Sequence, residues 1–384
     1  MTSKHKWLVL LYGDIDFDGR ARRMIDIARG FGEVHLLDCA EKPPAAHTLD
    51  YSHERVLVAP ELSPPRRHLK FLGQALRMAR QLRPDVVLAE DFFTAMPGRL
   101  VAGISRARYI YDAHELIIPG ADERVSGRQW FWAALERRAA PAADLVIAAN
   151  SERAQIMTES YPLRHPVSYM RNIPAAPSPT QAHLTKVQAK YPALTRHAPN
   201  EVLVLYQGAI TAERGLQRFI EAVVHLPPEY RLVVAGDGPD LGALRALGSE
   251  DRFGGRIDFL GRVPNAEVAA VAQLCDIGIV TYDYDTRNSL LCAPNKVFEY
   301  AQAGISVVAS DQLPLRNLLD GRPWARTLAP EAGPIETAAR ILELPRDRAA
   351  TTADIAGFLA QNTSEAECAR IEALFAELLG EGQE

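Results

Sequence analysis

The sequence lacks most of the features that would assign a protein to a class at first sight. It contains no run of about 18 apolar residues, so no transmembrane helix is predicted. The strand-like run at 7–12 starts too early and is too short for a signal peptide. Its few cysteines are scattered without metal-type spacing and predict reduced thiols in a cytosolic protein: Cys39, Cys275, Cys292 and Cys368.

The net charge is small over the whole chain but uneven along it. The 384 residues carry a net charge of −5. Residues 1–190 hold 26 Lys or Arg against 21 Asp or Glu, and the remainder holds 17 against 27. A basic N-terminal half favours contact with an anionic partner such as lipid phosphates or a membrane surface. Solvated surface charge is the commoner explanation for most of these residues.

Along most of the chain, short apolar runs alternate with segments in which apolar residues recur at helical spacing. In residues 1–175 this alternation predicts a doubly wound α/β domain with a parallel sheet. Residues 176–200 carry several prolines among polar residues and predict an interdomain linker with one short helix. A second α/β series fills 201–363, and 364–379 is predicted as a helix that packs back on the first domain. Because ligands bind at the carboxyl ends of parallel strands, we expect the active site in a cleft between the domains.

Residues 295–304 combine a helix start with charged side chains. Pro294 suits the beginning of a helix, and Gly304 can end one in the left-handed conformation. The helix N-terminus attracts anions, and Lys296 adds a full positive charge there. Glu299, one turn on, can accept hydrogen bonds from paired hydroxyls. The pattern fits a diphosphate attached to a ribose, and the alternative is a packing helix whose charges face water.

Two loops that contain glycine each follow a predicted strand. Gly208 lets the backbone come close to a ligand, and Arg214 can clamp phosphate oxygens unless it forms a surface ion pair. Gly236-Asp237-Gly238-Pro239 opens another helix but lacks the full GxGxxG spacing, so no dinucleotide site is predicted. Asp283 and Asp285 have no third ligand near them in sequence, which favours a polar loop over a metal site.

Two motifs of the first domain leave a functional and a structural role open. His114 follows a strand at its carboxyl end, where it could hydrogen-bond a sugar or transfer a proton. A structural histidine is nearly as common there. Residues 130–132, Trp-Phe-Trp, lie near several arginines, which suits a membrane interface. A buried aromatic face is the commoner outcome, and we expect it here.

Taken together, these motifs resemble those of a retaining family-4 glycosyltransferase of the GT-B fold. The resemblance covers the whole chain and is strongest in residues 202–310, from Gln-Gly-x5-Arg-Gly to Pro-Asn-Lys-Val-Phe-Glu-Tyr-x-x-Ala-Gly. Tyr-Asp-Ala-His-Glu at 111–115 is similar to the same family's donor-side histidine loop. The resemblance implies an α/β fold of two Rossmann-like domains, the first on the acceptor side and the second binding the nucleotide sugar.

The resemblance also implies roles for individual residues. Arg214 and Lys296 would bind the diphosphate, and Glu299 would hold the ribose hydroxyls. His114 would contact the donor sugar near its anomeric centre. The first glutamate of the family's Glu-x7-Glu signature is replaced here by Leu291, so nearby groups would contact the sugar instead. The remaining substrate contacts that it implies are Gly13, Arg20, Gly208, Gly236, Gly238, Leu291, Cys292, Ala293 and Asn295.

The implied reaction moves a glycosyl group from a nucleotide diphosphate sugar to an acceptor hydroxyl and retains the configuration of the anomeric carbon. A UDP- or GDP-sugar is the donor to consider first. Cationic side chains and helix N-termini would stabilise the departing diphosphate, so neither a metal nor another cofactor is expected. The expected acceptor is a saccharide or lipid-linked molecule in polysaccharide or glycolipid biosynthesis, and no nucleic acid is expected. The expected location is the cytoplasm, with peripheral contact at the inner face of the membrane through the basic N-terminal domain.

Two alternatives stay open at this point. A nucleotide-sugar 2-epimerase shares the GT-B architecture and would turn over the nucleotide sugar without an acceptor. A catalytically silent GT-B module would bind a nucleotide sugar or a partner enzyme without transfer or hydrolysis, and the missing first glutamate motivates this alternative.

Overall fold

A computed structural model describes residues 5–44, 50–175 and 178–381, which form two compact units. The first unit comprises the chain up to Asn172 together with the residues from Glu365 onward. The second unit runs from Ile173 to Ser364. Each unit is built on a parallel sheet whose strands are joined by helices, so the predicted pair of doubly wound α/β domains is confirmed.

The first unit alternates strands and helices. Its strands are β1 His5–Leu11, β2 Gly32–Ala40, β3 Ser52–Leu57, β4 Val86–Glu90, β5 Arg108–Ala113, β6 Leu145–Ala148 and β7 Ser168–Tyr169. They pair in parallel in the order β3-β2-β1-β4-β5-β6-β7. Its helices are α1 Gly19–Phe31, α2 Pro64–Leu82, α3 Phe92–Ser105, α4 Gly127–Ala139, α5 Ser151–Ser160 and, at the far end of the chain, α15 Ser364–Leu379.

The second unit repeats this plan. Its strands are β8 Val202–Gln207, β9 Tyr230–Ala235, β10 Ile257–Gly261, β11 Ile277–Val280, β12 Ser306–Ser310 and β13 Ala325–Leu328. They pair in parallel in the order β10-β9-β8-β11-β12-β13. Its helices are α6 Gln181–Lys190, α7 Gln217–Ala222, α8 Leu241–Gly248, α9 Asn265–Gln273, α10 Arg287–Leu290, α11 Asn295–Gln302, α12 Leu313–Leu319, α13 Pro334–Leu342 and α14 Thr352–Gln361.

Local sequence explains how the central helix of the second unit is bounded. Helix α11 begins directly after Pro294, as predicted. Gly304 follows its end with a φ of +69°, a conformation that glycine adopts without steric cost. Strand β12 then runs through the interior and is buried along its whole length, which agrees with its apolar sequence.

The last helix of the chain packs into the core of the first unit. Ile371 and Phe375 of α15 are fully buried, and the Phe375 ring lies 5.1 Å from that of Trp7 in β1. The carboxylate of Glu367 accepts hydrogen bonds from the backbone N–H and the guanidinium of Arg171. Helix α15 is therefore held by both apolar and ionic contacts.

Residues 178–200, predicted as an interdomain linker, belong to the second unit. They contain helix α6, and the side chains of Val187 and Leu194 are buried in the core of that unit. Apolar residues spaced among the prolines are what anchor the segment. In the part of the chain that the structure describes, no helix has both the length and the apolar character needed to cross a bilayer.

Candidate functional site

A cavity of about 710 Å³ lies at the carboxyl ends of three neighbouring strands of the second unit. It opens where β8, β9 and β10 end and where α9 and α11 begin, which is the edge at which doubly wound sheets bind ligands. Its lining residues come entirely from this unit: Gln207, Gly208, Ala209, Ala235, Gly236, Asp237, Gly238, Arg262, Val263, Asn265, Val268, Val271, Asn295, Lys296 and Glu299.

The predicted glycines let two loops and a lysine meet at the cavity. An added Cβ at Gly236 would lie 1.9 Å from the carbonyl oxygen of Gly208, and one at Gly238 would lie 2.1 Å from that of Ile210. Gly208 has a φ of +136°, and a Cβ there would lie 2.8 Å from Cε of Lys296. These contacts leave no room for side chains, so the glycines bring backbone groups to the cavity wall.

Lys296, in the first turn of α11, and Glu299, one turn on, both line the cavity. Burial lowers the pKa of the Lys296 ammonium, and the charge of Arg214 lowers it further, whereas Glu299 opposes the shift. Glu299 accepts a hydrogen bond of 2.6 Å from the side-chain amide of Gln207, at the end of β8. A cation at a helix N-terminus beside a carboxylate held in place suits an anionic ligand that also carries hydroxyls.

Arg214 lies beside this group rather than among the lining residues. It is the last residue of a short helical turn, and its guanidinium stacks 4.5 Å from the ring centre of Tyr282. Its effect on the pKa values of Lys296 and Tyr206 places its charge close to the cavity. Burial raises the pKa of Tyr206 to about 12, and Arg214 opposes that shift.

The structure does not bring residues 291–293 into the cavity lining. Leu291 and Ala293 are partly buried between α10 and α11, and Cys292 is buried in the hydrophobic core of the second unit. Cys292 therefore packs in this core, and the expected sugar contact through backbone groups or other side chains near residues 291–293 stays a prediction. Sequence reasoning missed Arg262, which lines the cavity after β10. Its position directly after Gly261, at the end of a strand, was the available signal.

In the first unit, His114 lies within a buried group of charges at the carboxyl ends of β4 and β5. Its Nε2 is 2.7 Å from Oε2 of Glu90 and 3.3 Å from Oδ2 of Asp112, and its Nδ1 is 3.7 Å from Oδ2 of Asp18. Burial lowers the pKa of His114, but the hydrogen bonds to Asp112 and Glu90 raise it more, to well above its ordinary value. The imidazole therefore favours its charged form.

Arg20, predicted to contact the acceptor, is an internal residue with 4% of its surface exposed. Its Nε donates to Asp112 over 2.7 Å, a second nitrogen donates to the other oxygen of Asp112, and Ala148 and Met170 offer carbonyl oxygens. This guanidinium neutralises the buried Asp112, and a contact of Arg20 with substrate stays a prediction. Burial raises the pKa of Asp112, but Arg20 and His114 lower it more, to below its ordinary value.

The acidic loop that includes Gly13 is tied to the sheet by its own carboxylates. The carbonyl of Gly13 accepts a hydrogen bond from the backbone N–H of Cys39. Asp14 pairs with Arg55 at 2.7 Å, and Asp18 accepts hydrogen bonds from the first backbone N–H groups of α1. These acids hold the loop and cap a helix.

One group of side chains in the described ranges could geometrically hold a metal. Glu90, Asp112 and His114 place ligand atoms within 4.8 Å of one another. The guanidinium of Arg20 already binds both oxygens of Asp112, and its charge opposes a second cation. The chemistry of the group therefore favours a hydrogen-bonded cluster of compensated charges. In the other predicted pair, an oxygen of Asp283 accepts from the backbone N–H of Asp285, as in a polar turn.

The Trp-Phe-Trp motif of α4 is not the buried aromatic face that the sequence predicts. Trp130 is 67% exposed and Phe131 is 50% exposed. Trp132 turns inward, and its ring lies 4.8 Å from those of His68 and Phe93. Only one of the three rings is covered by the neighbouring helices.

Comparison with known proteins gives matches over most of the chain. The model of the family described as "Glycosyl transferases group 1" matches residues 201–347, and that of the "Glycosyl transferase 4-like domain" matches residues 23–172. The alpha-maltose-1-phosphate synthase of Mycolicibacterium smegmatis is 26% identical over 184 residues, which is 45% of this chain and 46% of that protein. The enzyme of the same name from Mycobacterium tuberculosis is 26% identical over 193 residues, 47% of this chain and 48% of the other. The matched part thus spans about half the length of these curated relatives.

Solved structures match over nearly the whole chain. Anabaena Alr3699/HepE in complex with UDP and glucose has a TM-score of 0.72 at 19% identity, covering 98% of this chain and 100% of that one. Sucrose-phosphate synthase from Thermosynechococcus elongatus has a TM-score of 0.72 at 15% identity, with the same coverage. The likeness shows a shared fold.

Proposed function

This chain belongs to the glycosyltransferases of the GT-B fold, and we propose that it transfers a glycosyl group from a nucleoside diphosphate sugar to an acceptor hydroxyl. UDP and GDP are the first nucleotides to consider, and the product would retain the configuration of the anomeric carbon. The acceptor would be a saccharide or a lipid-linked molecule in surface polysaccharide or glycolipid biosynthesis.

The observation that carries the proposal is that Lys296 and Glu299, both near the start of α11, line the wall of one cavity. The diphosphate would lie against the Lys296 ammonium and the N-terminus of the helix. The carboxylate of Glu299, oriented by Gln207, would accept hydrogen bonds from the two ribose hydroxyls. Gly208 and Gly236 would present backbone groups to the same ligand.

The reaction leaves negative charge on the departing diphosphate, and the chain supplies cations for it. The bond from the anomeric carbon to the phosphate oxygen breaks, the acceptor oxygen bonds to that carbon, and the acceptor proton passes to the departing phosphate. Lys296 and Arg214 would stabilise this charge, and one preorganised contact of this kind is typically worth roughly 10²–10³ in rate. In the first unit, His114 would contact the donor sugar in its charged form.

We propose, on the basis of these cationic side chains, that the reaction needs no divalent metal. We expect that transfer by the purified protein continues in a chelator, because Lys296 and Arg214 do the work that a metal would do. Transfer rates measured with EDTA and after adding Mg²⁺ or Mn²⁺ check this. Full loss in EDTA, restored by metal, would contradict it and would bring Asp283 and Asp285 back as candidate ligands.

The first test is nucleotide binding by calorimetry and thermal shift, with UDP, GDP, ADP and dTDP. Selective binding of one nucleotide is expected, and Glu299→Ala should abolish it. Glu336→Ala, which removes an exposed carboxylate of α13 in the same unit, is the matched control and should bind normally. Failure of the wild type to bind any of the four would contradict the proposed donor site.

A catalytically silent nucleotide-sugar-binding module is the second candidate, and Leu291 favours it. This position would carry the first of the family's two glutamates, and the described lining residues do not include it. Such a module would bind the nucleotide sugar in calorimetry but would neither transfer nor hydrolyse its sugar. Release of nucleoside diphosphate in the presence of acceptor would exclude it.

A further inference from the structure

We propose that one edge of the first unit docks on an anionic lipid bilayer. This surface, the basic aromatic rim, is formed by the start of α2, by the start of α4 and by the segment that leads into α4. Its members are Arg66, Leu69, Arg124, Val125, Arg128, Trp130 and Phe131. The proposal concerns an interaction surface and does not depend on the transfer reaction or on the donor site.

The rim exposes large apolar side chains. Leu69 and Trp130 are each 67% exposed, Phe131 is 50% exposed and Val125 is 38% exposed. The indole of Trp130 has an apolar body and a polar N–H, a combination that prefers the boundary between lipid headgroups and acyl chains. A bilayer would cover these side chains without requiring a partner of complementary shape.

Inward-facing rings join the two helices of the rim. His68, which precedes Leu69 in α2, stacks on Tyr12 at 3.9 Å and lies 4.8 Å from Trp132 in α4. Tyr12 directly follows β1, so the rim lies at the carboxyl edge of the sheet. The outward-facing side chains of α2 and α4 are therefore carried by helices that a packed aromatic cluster joins, whereas Arg124 and Val125 lie in the segment before α4.

The rim is also basic. Segments 61–70 and 122–131 together hold five Lys or Arg and three Asp or Glu, a net charge of +2. Arg66, Arg124 and Arg128 make no ion pair with any carboxylate in the described ranges, whereas Glu123 accepts hydrogen bonds from Gly120 and Gln129. Burial lowers the pKa of His68, the hydrogen bond with the carbonyl of Pro64 opposes this shift, and the charge of Arg128 lowers the pKa further.

The exposed apolar side chains and the positive net charge together predict how strongly the protein binds anionic and neutral vesicles. Near an anionic surface each net positive charge strengthens binding about fivefold, so a net charge of +2 predicts roughly a twenty- to thirtyfold preference for anionic over neutral vesicles. Insertion of Trp130 and Phe131 would supply the remaining affinity, which salt does not screen.

The test uses the full chain and vesicles of phosphatidylglycerol and phosphatidylcholine in equal parts, with pure phosphatidylcholine for comparison. In flotation, Trp130→Ala combined with Phe131→Ala should weaken binding by about tenfold or more. Ile335→Ala combined with Leu342→Ala is the matched control, because these residues of α13 are 70% and 42% exposed in the second unit. The control should bind as the wild type does.

Tryptophan emission gives an independent readout. Trp7 and Trp324 are fully buried, so a blue shift on adding vesicles would report on Trp130 and Trp132. Trp130→Phe should remove most of the shift while flotation persists. A shift that is unchanged in Trp130→Phe would overturn the assignment of the rim.

The charge contribution has its own matched pair. Arg124→Gln combined with Arg128→Gln removes two positive charges, so it should weaken binding to anionic vesicles by roughly twenty- to thirtyfold and reduce its salt dependence. Arg77→Gln combined with Arg80→Gln, which changes exposed arginines farther along α2, should have little effect. Equal losses in both pairs would contradict a localised basic surface.

Two other outcomes would also overturn the proposal. The first is absence of vesicle binding by the wild type. The second is self-association of the wild type that Trp130→Ala with Phe131→Ala abolishes while vesicles fail to bind, since the rim would then contact a second copy. Nucleotide binding in the second unit is measured separately, so a failed donor site and a failed rim give different results.

Discussion

The imidazole of His114 is partly buried against the fully buried carboxylate of Glu90, with Nε2 of the ring 2.7 Å from Oε2 of the acid. Glu90 is fully buried, and burial together with Asp112 raises its pKa above the ordinary value, although His114 opposes this. Because Nε2 is held by the two acids, the ring orientation is fixed, and Nδ1 faces Oδ2 of Asp18 at 3.7 Å.

Glu90→Gln should shift the pH dependence of activity. The raised pKa of His114 keeps the ring charged to a higher pH than an ordinary histidine, so activity that needs the charge falls as the pH rises through that pKa. With a neutral amide at position 90, the fall in activity should move to lower pH. Activity near neutral pH should therefore drop about tenfold. The kcat/KM profile and ¹⁵N resonances of His114 measure the effect. Glu61→Gln, an exposed change, should leave both unaltered.

Arg20→Ala should destabilise the first unit by about 3–5 kcal/mol, because it leaves the buried Asp112 without its cation. The depressed pKa of Asp112 means that its contribution to stability is present above its unfolded-state pKa and is lost as the pH falls through the folded-state value. Urea unfolding at neutral and acidic pH measures both effects. Arg29→Ala, which breaks partly exposed ion pairs, should lower the free energy of unfolding by less than about 1 kcal/mol. Equal costs would contradict the structural role of Arg20.

Lys296→Ala and Arg214→Ala should each lower turnover by about tenfold or more, because each removes a cation from the departing diphosphate. Nucleotide binding should weaken more for Lys296→Ala, since this residue lines the cavity and Arg214 does not. Steady-state kinetics and calorimetry with UDP or GDP separate the two effects. Lys186→Ala, which changes an exposed lysine of α6, is the control. Near-normal turnover in either test variant would remove that residue from the site.

Gly236→Ala should weaken nucleotide binding and destabilise the second unit by about 1–3 kcal/mol, because the new Cβ would meet the carbonyl oxygen of Gly208 at 1.9 Å. Gly242→Ala is the matched control: it lies in α8, and a Cβ there has no neighbour within 4 Å. The control should be neutral or stabilise the protein by up to about 1 kcal/mol. Thermal unfolding and calorimetry check both variants, and equal Tm values would contradict the crowding argument.

The sequence was sufficient to predict the fold and the residues around α11, because both depend on local patterns. Apolar runs fix the strands, and parallel strands bring Gly208, Gly236 and the start of α11 to one edge. The position of Arg20 could not be predicted, because its partner Asp112 lies 92 residues away. The exposure of Trp130 was also unpredictable, since α4 has no clear apolar face and the neighbouring helices decide which ring is covered.

The place of α15 in the first unit has a consequence for synthesis of the chain. The second unit is encoded without interruption between Ile173 and Ser364, whereas the core around Trp7 needs Ile371 and Phe375 from the last helix. During translation the second unit can therefore close while the first still waits for its final segment to leave the ribosome. N-terminal domains usually fold first during synthesis, but here the core of the second unit can be completed before the core of the first. A nascent chain that stalls before α15 would expose the apolar surface around Trp7.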